Sequence, residues 1–237
     1  MNWRDVGGVH TEQSCESLPT GLVYRSESLA GVSSSTVELI RSKGVGVVVD
    51  LRSVEEVENH GRFDDPSAEW LHHPLSGPSW LIDHALDFAD PMAALYRSMT
   101  TDMAGELCRV VEVVAEAEVP IVIHCTAGKD RTGVVAALLQ TALGVDYRIV
   151  SAEYLASADN LVGHMEAMQA HYPDLTNLIP DELKARAGGV EQGWLNAAFE
   201  PICAAGSIDS WLNDNGLAPH TLQRLRSRFF QPPANAA

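Results

Sequence analysis

Seven consecutive residues in the middle of the chain, from Cys125 to Arg131, have the side chains needed for chemistry on a phosphate. Cysteine is a nucleophile, and the planar guanidinium of arginine can bind two phosphate oxygens at once. The spacing C-x5-R leaves a loop long enough to wrap around a phosphate and aim successive backbone N–H groups at it. Gly128 supplies the backbone freedom that a tight concave loop needs. The segment therefore predicts a phosphate-binding loop that carries its own nucleophile.

The surroundings of the loop favour the reactive form of the cysteine. A helix beginning near Arg131 adds its positive end to the guanidinium, and both stabilise a thiolate on Cys125. The hydroxyl of Thr132 is expected to donate to the sulfur and help it leave in a second step, and His124 is expected to orient the loop through hydrogen bonds. The phosphate contacts are predicted to come from Thr126, Ala127, Gly128, Lys129 and Thr132.

The neighbouring elements distinguish this match from a chance one. A single C-x5-R spacing arises by chance, and a lone cysteine after a strand is usually a small buried residue. Here Pro120–His124 predicts a buried strand, and Thr132–Gln140 is rich in small and apolar residues, which indicates a buried helix. Strand, short loop and helix in this order form the place where open α/β sheets bind ligands.

The rest of the chain supplies further strands and helices. Val45–Leu51 and Trp70–Leu75 predict two more strands. Helices are expected at Ser33–Arg41, at Met92–Ala117 with a break near residues 100–105, and after Gly144 with breaks near residues 172–173, 188–189, 206 and 216. The predicted fold class is therefore α/β, a parallel-rich central sheet flanked by helices.

No linker divides the chain, so we expect a single domain over residues 1–237, in which late helices cover the sheet and the site. Residues 231–237 contain two prolines and three alanines and are expected to form a flexible tail.

Composition excludes several classes of partner. The formal net charge of −16 and the pI near 4.8 argue against a nucleic-acid surface and against adhesion to anionic lipid. No segment reaches the roughly 18 to 20 apolar residues needed to span a bilayer, and the N-terminus lacks the pattern of a signal peptide. We therefore expect no nucleic-acid partner and no stable membrane insertion, and the oligomeric state stays open.

The cysteines and histidines indicate a compartment and argue against a metal. Four scattered cysteines indicate free thiols in a reducing compartment, so the cytoplasm is predicted, with export that needs no cleaved signal left open. Cys15, Cys108 and Cys203 are expected to be inert, the alternative being a redox partner for Cys125. The pairs His72-His73 and His164 with His171 lack partners at ligand spacing, so no metal site is expected.

The segment His124–Gly133, HCTAGKDRTG, resembles the HCxxGKDRTG signature of the bacterial atypical protein tyrosine phosphatases, and of the mycobacterial protein tyrosine phosphatase B group in particular. Shorter segments are similar to motifs of that group and occur in the same order: Asn2–Val6, Tyr24–Ser26, Asp50–Ser53, Tyr154–Asn160 and Trp211–Gly216. The resemblance covers most of the chain, and the loop is its most specific part.

This resemblance implies a phosphotyrosine-phosphatase-like fold with a helical lid over the pocket, at about residues 172–205, and neither metal nor organic cofactor. It implies a phosphorylated protein or a phosphoinositide as substrate, with dual specificity for phosphotyrosine and for phosphoserine or phosphothreonine in some members. Lys129 matches a loop lysine of such enzymes, which implies an extra contact to a polyanionic substrate, the alternative being simple solvation. A phosphate or sulfate ion is expected to fit the loop.

Two-step hydrolysis also needs an acid for the leaving alcohol and then a base for water. Many tyrosine phosphatases take an aspartate from a separate loop, but the corresponding residues here, 73–78, include no acidic side chain. Asp83, Asp87 and Asp90 follow only further along the chain. Asp130, beside Arg131, is therefore the predicted acid, and a structural role in holding the loop is its alternative.

The sequence thus predicts a cysteine-dependent phosphoric monoester hydrolase in which Cys125, Arg131 and Asp130 are catalytic. The alternative from a different class is a phosphate-binding module with a weak or dead site, since the aspartate of the separate loop is missing. Sulfur transfer of the rhodanese type also uses a loop cysteine, but the run GKDRTG suits a tetrahedral dianion better.

Overall fold

A five-stranded sheet forms the centre of the computed structural model, which describes residues 2–11, 17–75, 88–161, 166, 169, 173–178 and 181–230. The strands are β1 Arg4–Asp5, β2 Val23–Ser26, β3 Val47–Asp50, β4 Glu69–His72 and β5 Ile121–His124. They lie in the order β1-β2-β5-β3-β4, and all are parallel except β1, which pairs antiparallel with β2. The predicted parallel-rich sheet is confirmed.

The carboxyl ends of the three central strands lie level at one edge of the sheet. Ser26 of β2 and Asp50 of β3 are both paired in register with His124 of β5. All three strands are buried along their whole length, because helices cover both faces, as apolar runs of this kind require. This edge therefore brings three strand ends to the loop that follows His124.

The described residues of the first half form the helices α1 Ser34–Ser42, α2 Val54–His60, α3 Pro91–Thr101 and α4 Ala104–Glu116. Helix α1 begins where the sequence predicts, since the side chain of Ser33 accepts a hydrogen bond from the Thr36 amide. The predicted break near residues 100–105 falls between α3 and α4. The apolar pattern does not predict α2, which is short and mostly polar.

The second half is helical, as predicted. The elements among its described residues are α5 Arg131–Ala142, α6 Tyr147–Leu155, a 3-10 helix Ala156–Asn160, α7 Pro173–Leu178, α8 Asp181–Ala187, α9 Gln192–Ala204, α10 Ile208–Asp214 and α11 Pro219–Phe230. The breaks predicted at residues 188–189, 206 and 216 fall between these helices.

Successive side chains along each strand point to opposite faces of the sheet, so the core has two parts, one on each face. Val49 and Ile123 point into the larger core, which α3, α4, α5, α9 and α11 complete. Val48 and Val122 point to the other face, where Ile40 of α1 completes a smaller core. Helix α5 is buried at every position except Thr141. The loop before α5 is therefore anchored at both ends to the interior.

Some predictions concern residues outside the described ranges, namely Cys15, Asp83, Asp87, His164, His171 and the tail at residues 231–237. None of the described helices combines the length and the apolar character that crossing a membrane requires.

Candidate active site

The loop between β5 and α5 is pressed against the end of β2. Gly128 has φ of +68°, and a Cβ at this position would lie 2.5 Å from the Ser26 carbonyl oxygen and 2.6 Å from the Glu27 nitrogen. Only glycine combines this backbone conformation with so close an approach. Cys125 begins the loop and is 1% exposed.

Several backbone carbonyl groups of the loop accept hydrogen bonds, whereas four of its amides have no acceptor within the described residues. The Thr126 oxygen accepts from the Ser28 amide at 3.0 Å, and Asn2 donates to the oxygens of Ala127 and Gly128 at 3.1 and 3.2 Å. The N–H groups of residues 126–129 have no acceptor within the described residues. Since buried amides seldom lack a partner, four consecutive free ones suit an anion.

Arg131 is held in place by Glu56 of α2. Its Nη1 lies 2.5 Å from Oε2 and its Nη2 lies 2.9 Å from Oε1, and the Thr126 hydroxyl also donates to Oε1. Burial alone would raise the pKa of Glu56, but Arg131 lowers it to about 2. Burial likewise disfavours charge on Arg131, yet Glu56 raises its pKa above the ordinary value. The pair therefore stays charged and fixes the guanidinium beside the loop.

Asp130 lies between two donors that bind the same carboxyl oxygen. The Tyr96 hydroxyl and the Lys129 ammonium each lie 2.6 Å from Oδ1, whereas Oδ2 has no hydrogen bond within the described residues. The Tyr96 hydroxyl is also 2.8 Å from that of Tyr154. Burial and the nearby Asp130 carboxylate raise the pKa of both phenols, so both keep their protons. Asp130 is thus oriented with one oxygen available.

Lys129 is buried under the C-terminal helices. It is 2% exposed, and its ammonium lies 5.7 Å from the ring centroid of Trp194 in α9. Arg186 of α8 lies over the same indole at 5.5 Å and donates to Asp90 and Glu191. The alternative of a simply solvated lysine is therefore wrong, because the indole and Asp130 enclose the ammonium.

A buried charge pair lies beneath the start of the loop. Asp50 and Arg52 are both fully buried, with 2.6 Å between Oδ2 and Nη2. The His124 ring has Nε2 at 3.6 Å from Asp50 Oδ2 and Nδ1 at 3.2 Å from the Cys125 oxygen. Burial lowers the pKa of His124 despite the nearby carboxylate, so the ring is neutral near pH 7. His124 therefore contacts the loop at the Cys125 carbonyl.

A sequence profile described as "Tyrosine phosphatase family" matches residues 1–231. The chain belongs to this tyrosine phosphatase family. It is 29% identical to the triple specificity protein phosphatase PtpB of Mycobacterium tuberculosis, over 95% of each chain. It is 28% identical to a putative tyrosine-protein phosphatase of Cupriavidus necator, over 90% of this chain and 80% of the relative.

Among solved structures, TpbA of P. aeruginosa in complex with pTyr aligns with 76% of this chain and 87% of its own, at 18% identity and a TM-score of 0.33. The resemblance inferred from HCTAGKDRTG is confirmed by the sequence matches, and the named relatives are phosphoric monoester hydrolases.

In this family member the structure collects the predicted residues from His124 to Thr132 around one loop. Two details concern further residues that the sequence singled out. The hydroxyl of Thr132, predicted to donate to the Cys125 sulfur when that sulfur leaves, is buried and has no hydrogen-bond partner among the described residues. Asp90, a candidate acid, caps α3 through the Ala93 amide and pairs with Arg186.

The sequence interpretation does not assign several residues to this site, among them Glu56, Tyr96 and Asn2. Glu56 did have a signal, because Ser53-Val-Glu-Glu56 is a capping-box pattern, and the structure shows both reciprocal hydrogen bonds. The box predicts a helix start, although not the contact with Arg131. Tyr96 lies in a helical pattern that carries no such signal.

The other thiols and the histidines have ordinary surroundings. Burial raises the pKa of Cys108 to about 11, which keeps this thiol protonated and inert, and Cys203 is exposed on α9. His72 Nε2 lies 2.8 Å from the Arg52 oxygen, and His73 Nδ1 lies 2.7 Å from Glu106. Within the described part of the chain, no cluster of His, Cys, Asp and Glu is arranged to hold a metal ion.

Proposed function

We propose that the protein hydrolyses phosphate monoesters, phosphotyrosine among them, through a phosphocysteine on Cys125. The observation that carries this proposal is the loop itself, where free amides and a guanidinium fixed by Glu56 surround a buried cysteine. Family membership and the phosphatases named among its relatives support the same chemistry.

In the first step the Cys125 thiolate attacks phosphorus, the S–P bond forms and the ester P–O bond breaks. The free amides of residues 126–129 and the Arg131 guanidinium stabilise the charge on the three phosphoryl oxygens. The leaving oxygen takes a proton from Asp130, whose Oδ2 is free of other hydrogen bonds among the described residues.

In the second step a water molecule attacks phosphorus, Asp130 takes its proton and the S–P bond breaks. The products are inorganic phosphate and the regenerated Cys125 thiolate. The Thr132 hydroxyl, buried close to the loop and without a partner among the described residues, is a donor for the leaving sulfur.

The test is an assay with p-nitrophenyl phosphate on the wild type and on Cys125→Ser. We expect turnover by the wild type, loss of turnover in the variant to the background rate, and retained binding of inorganic phosphate by the variant. Turnover that survives in Cys125→Ser contradicts the mechanism. Phosphate binding by a wild type that turns nothing over instead identifies a binding module.

Asp130→Asn tests the acid by its dependence on the leaving group. A good leaving group such as p-nitrophenol needs little protonation, so the variant should lose little kcat/KM with it, because kcat/KM reports the first step alone. A serine hydroxyl is a poor leaving group, so with a phosphoserine peptide the loss should be about a hundredfold or more. Equal losses on both substrates would show that Asp130 only holds the loop.

We extend the proposal to phosphoserine, phosphothreonine and phosphoinositides as further substrates. Support comes from Lys129, which the sequence places in the loop, and from the triple specificity named for PtpB. For Lys129 to contact a second phosphate, its ammonium must exchange Asp130 for the substrate. Parallel assays on phosphotyrosine peptide, phosphoserine peptide and phosphoinositide vesicles measure this range.

We also propose one domain with a helical lid at about residues 172–205, working in the cytoplasm. The indole of Trp194 lies against the loop lysine and Arg186 lies over the same indole, which supports a lid because it brings α9 and, through it, α8 to the site. Free thiols at Cys108, Cys125 and Cys203 suit a reducing compartment.

A further inference from the structure

The outer side of the catalytic loop is bound by two residues from the beginning of the chain. Asn2 Nδ2 donates to the carbonyl oxygens of Ala127 and Gly128, at 3.1 and 3.2 Å. Arg25 of β2 donates from Nη2 to the Gly128 oxygen at 2.7 Å. Both side chains are buried, with Asn2 0% and Arg25 3% exposed.

These contacts fix the direction of two loop amides. A trans peptide is planar, so its N–H points opposite to its C=O. The Ala127 carbonyl shares a peptide with the Gly128 amide, and the Gly128 carbonyl shares one with the Lys129 amide. Because Asn2 and Arg25 hold both carbonyls on one side, both N–H groups must point to the other side. There they have no acceptor among the described residues.

Arg25 occupies its place at an energetic cost. It lies directly opposite Arg4 in the β1–β2 register, and both guanidinium groups donate to the Ser157 hydroxyl, at 2.7 Å from Arg4 and 3.3 Å from Arg25. Like charges placed opposite each other destabilise a sheet. Burial and the neighbouring Arg4 lower the pKa of Arg25 to about 10, so it stays charged at neutral pH. A buried, repelled cation with a specific contact is typical of a functional position.

We propose that Asn2 and Arg25 are positioning residues for catalysis, which hold the peptides 127–128 and 128–129 so that two amides face the phosphoryl group. The inference rests on the proposed phosphatase function and assigns a role to residues outside the loop. Neither residue touches the substrate; each acts through the loop carbonyls that it binds.

Arg4→Met is the matched control. Arg4 has the same charge as Arg25, pairs with it across the strands and binds the same Ser157 hydroxyl, but it has no hydrogen bond to the loop. The test compares Asn2→Ala and Arg25→Met with this control in three measurements. These are kcat/KM for p-nitrophenyl phosphate, the inhibition constant of inorganic phosphate, and the unfolding temperature without ligand.

We expect Asn2→Ala and Arg25→Met to lower kcat/KM and weaken phosphate inhibition by about tenfold to a hundredfold, because small misplacements of catalytic groups have effects of this size. Arg4→Met should stay within about threefold of the wild type in both, although it removes a guanidinium from the same cluster. In 15N spectra, phosphate should shift the Gly128 and Lys129 amides of the wild type and shift them less in Asn2→Ala.

The inference is overturned if the two variants match Arg4→Met in phosphate inhibition and kcat/KM at comparable unfolding temperatures. Should Arg25→Met fail to fold, Asn2→Ala decides alone, since it removes two hydrogen bonds and no charge. A wild type that neither turns over substrate nor binds phosphate contradicts the phosphatase function itself, which separates the two failures.

Discussion

Replacing Arg131 with lysine is expected to lower kcat/KM for p-nitrophenyl phosphate by about a thousandfold. A guanidinium presents a rigid fork to two phosphoryl oxygens, whereas an ammonium is a point charge. Here the fork is also oriented by two hydrogen bonds to Glu56, at 2.5 and 2.9 Å. Lysine cannot keep both Glu56 contacts and bind phosphate. Steady-state kinetics should show a fall in kcat together with a rise in KM.

Arg226→Lys provides the matched control for this substitution. Arg226 also forms a double hydrogen bond to a carboxylate, that of Asp209, at 3.1 and 2.7 Å, and it lies in α11. The same chemical change there should leave kcat/KM within about twofold of the wild type, since the pair is partly exposed and weak. An Arg131→Lys variant that keeps more than a tenth of wild-type kcat/KM would contradict the assigned role.

Glu56→Gln is expected to lower the free energy of unfolding by about 3 kcal/mol at neutral pH. The folded protein holds the pKa of Glu56 at about 2 against an ordinary 4.5, because the charge of Arg131 outweighs burial. The amide keeps the shape of the side chain but leaves Arg131 buried without its counter-charge. Activity should fall as well, because the guanidinium loses its fixed orientation. Urea unfolding followed by circular dichroism measures the stability.

The pH dependence gives this prediction its sign. A carboxyl whose pKa is lowered on folding stabilises the protein above its unfolded pKa, and that contribution disappears as the pH falls towards the folded value. The difference between wild type and Glu56→Gln should therefore be constant from about pH 6 to about pH 8 and shrink between about pH 5 and about pH 2.

Glu191→Gln is the corresponding control. Glu191 also binds an arginine through both oxygens, with Arg186 at 2.9 and 3.0 Å, but this pair is partly exposed. Its loss should cost about 1 kcal/mol or less. Two results would contradict a stabilising buried ion pair between Glu56 and Arg131. One is a Glu56→Gln variant that is no less stable than Glu191→Gln, and the other is a loss in free energy of unfolding that grows below about pH 5.

Local sequence was enough to predict the frame of the site. The run Pro120–His124, the C-x5-R spacing and the small apolar residues after Arg131 each act over a few residues, so strand, loop and helix follow from the chain order. The start of α1 is predictable for the same reason, because the cap joins the Ser33 side chain to the Thr36 amide, only three residues further along the chain.

The support around the loop could not be predicted in that way, because it comes from distant parts of the chain. Glu56 lies 75 residues from the arginine that it orients, and Asn2 lies 125 residues from Ala127. Their contacts depend on how β1, β2 and α2 pack beside β5, which no local pattern encodes. The sequence places Lys129 in a loop, where a lysine is usually exposed, yet this lysine is buried because Trp194 of α9 covers it.

The covalent intermediate tests the central claim most directly. Wild type and Asp130→Asn are mixed rapidly with p-nitrophenyl phosphate, denatured within the first turnover and analysed by mass spectrometry of the peptide that contains Cys125. We predict a phosphate group on the Cys125 sulfur, longer lived in Asp130→Asn because water then lacks its base, and absent from Cys125→Ser. Full turnover without any phosphorylated Cys125, or with the phosphate on another side chain, would contradict the account.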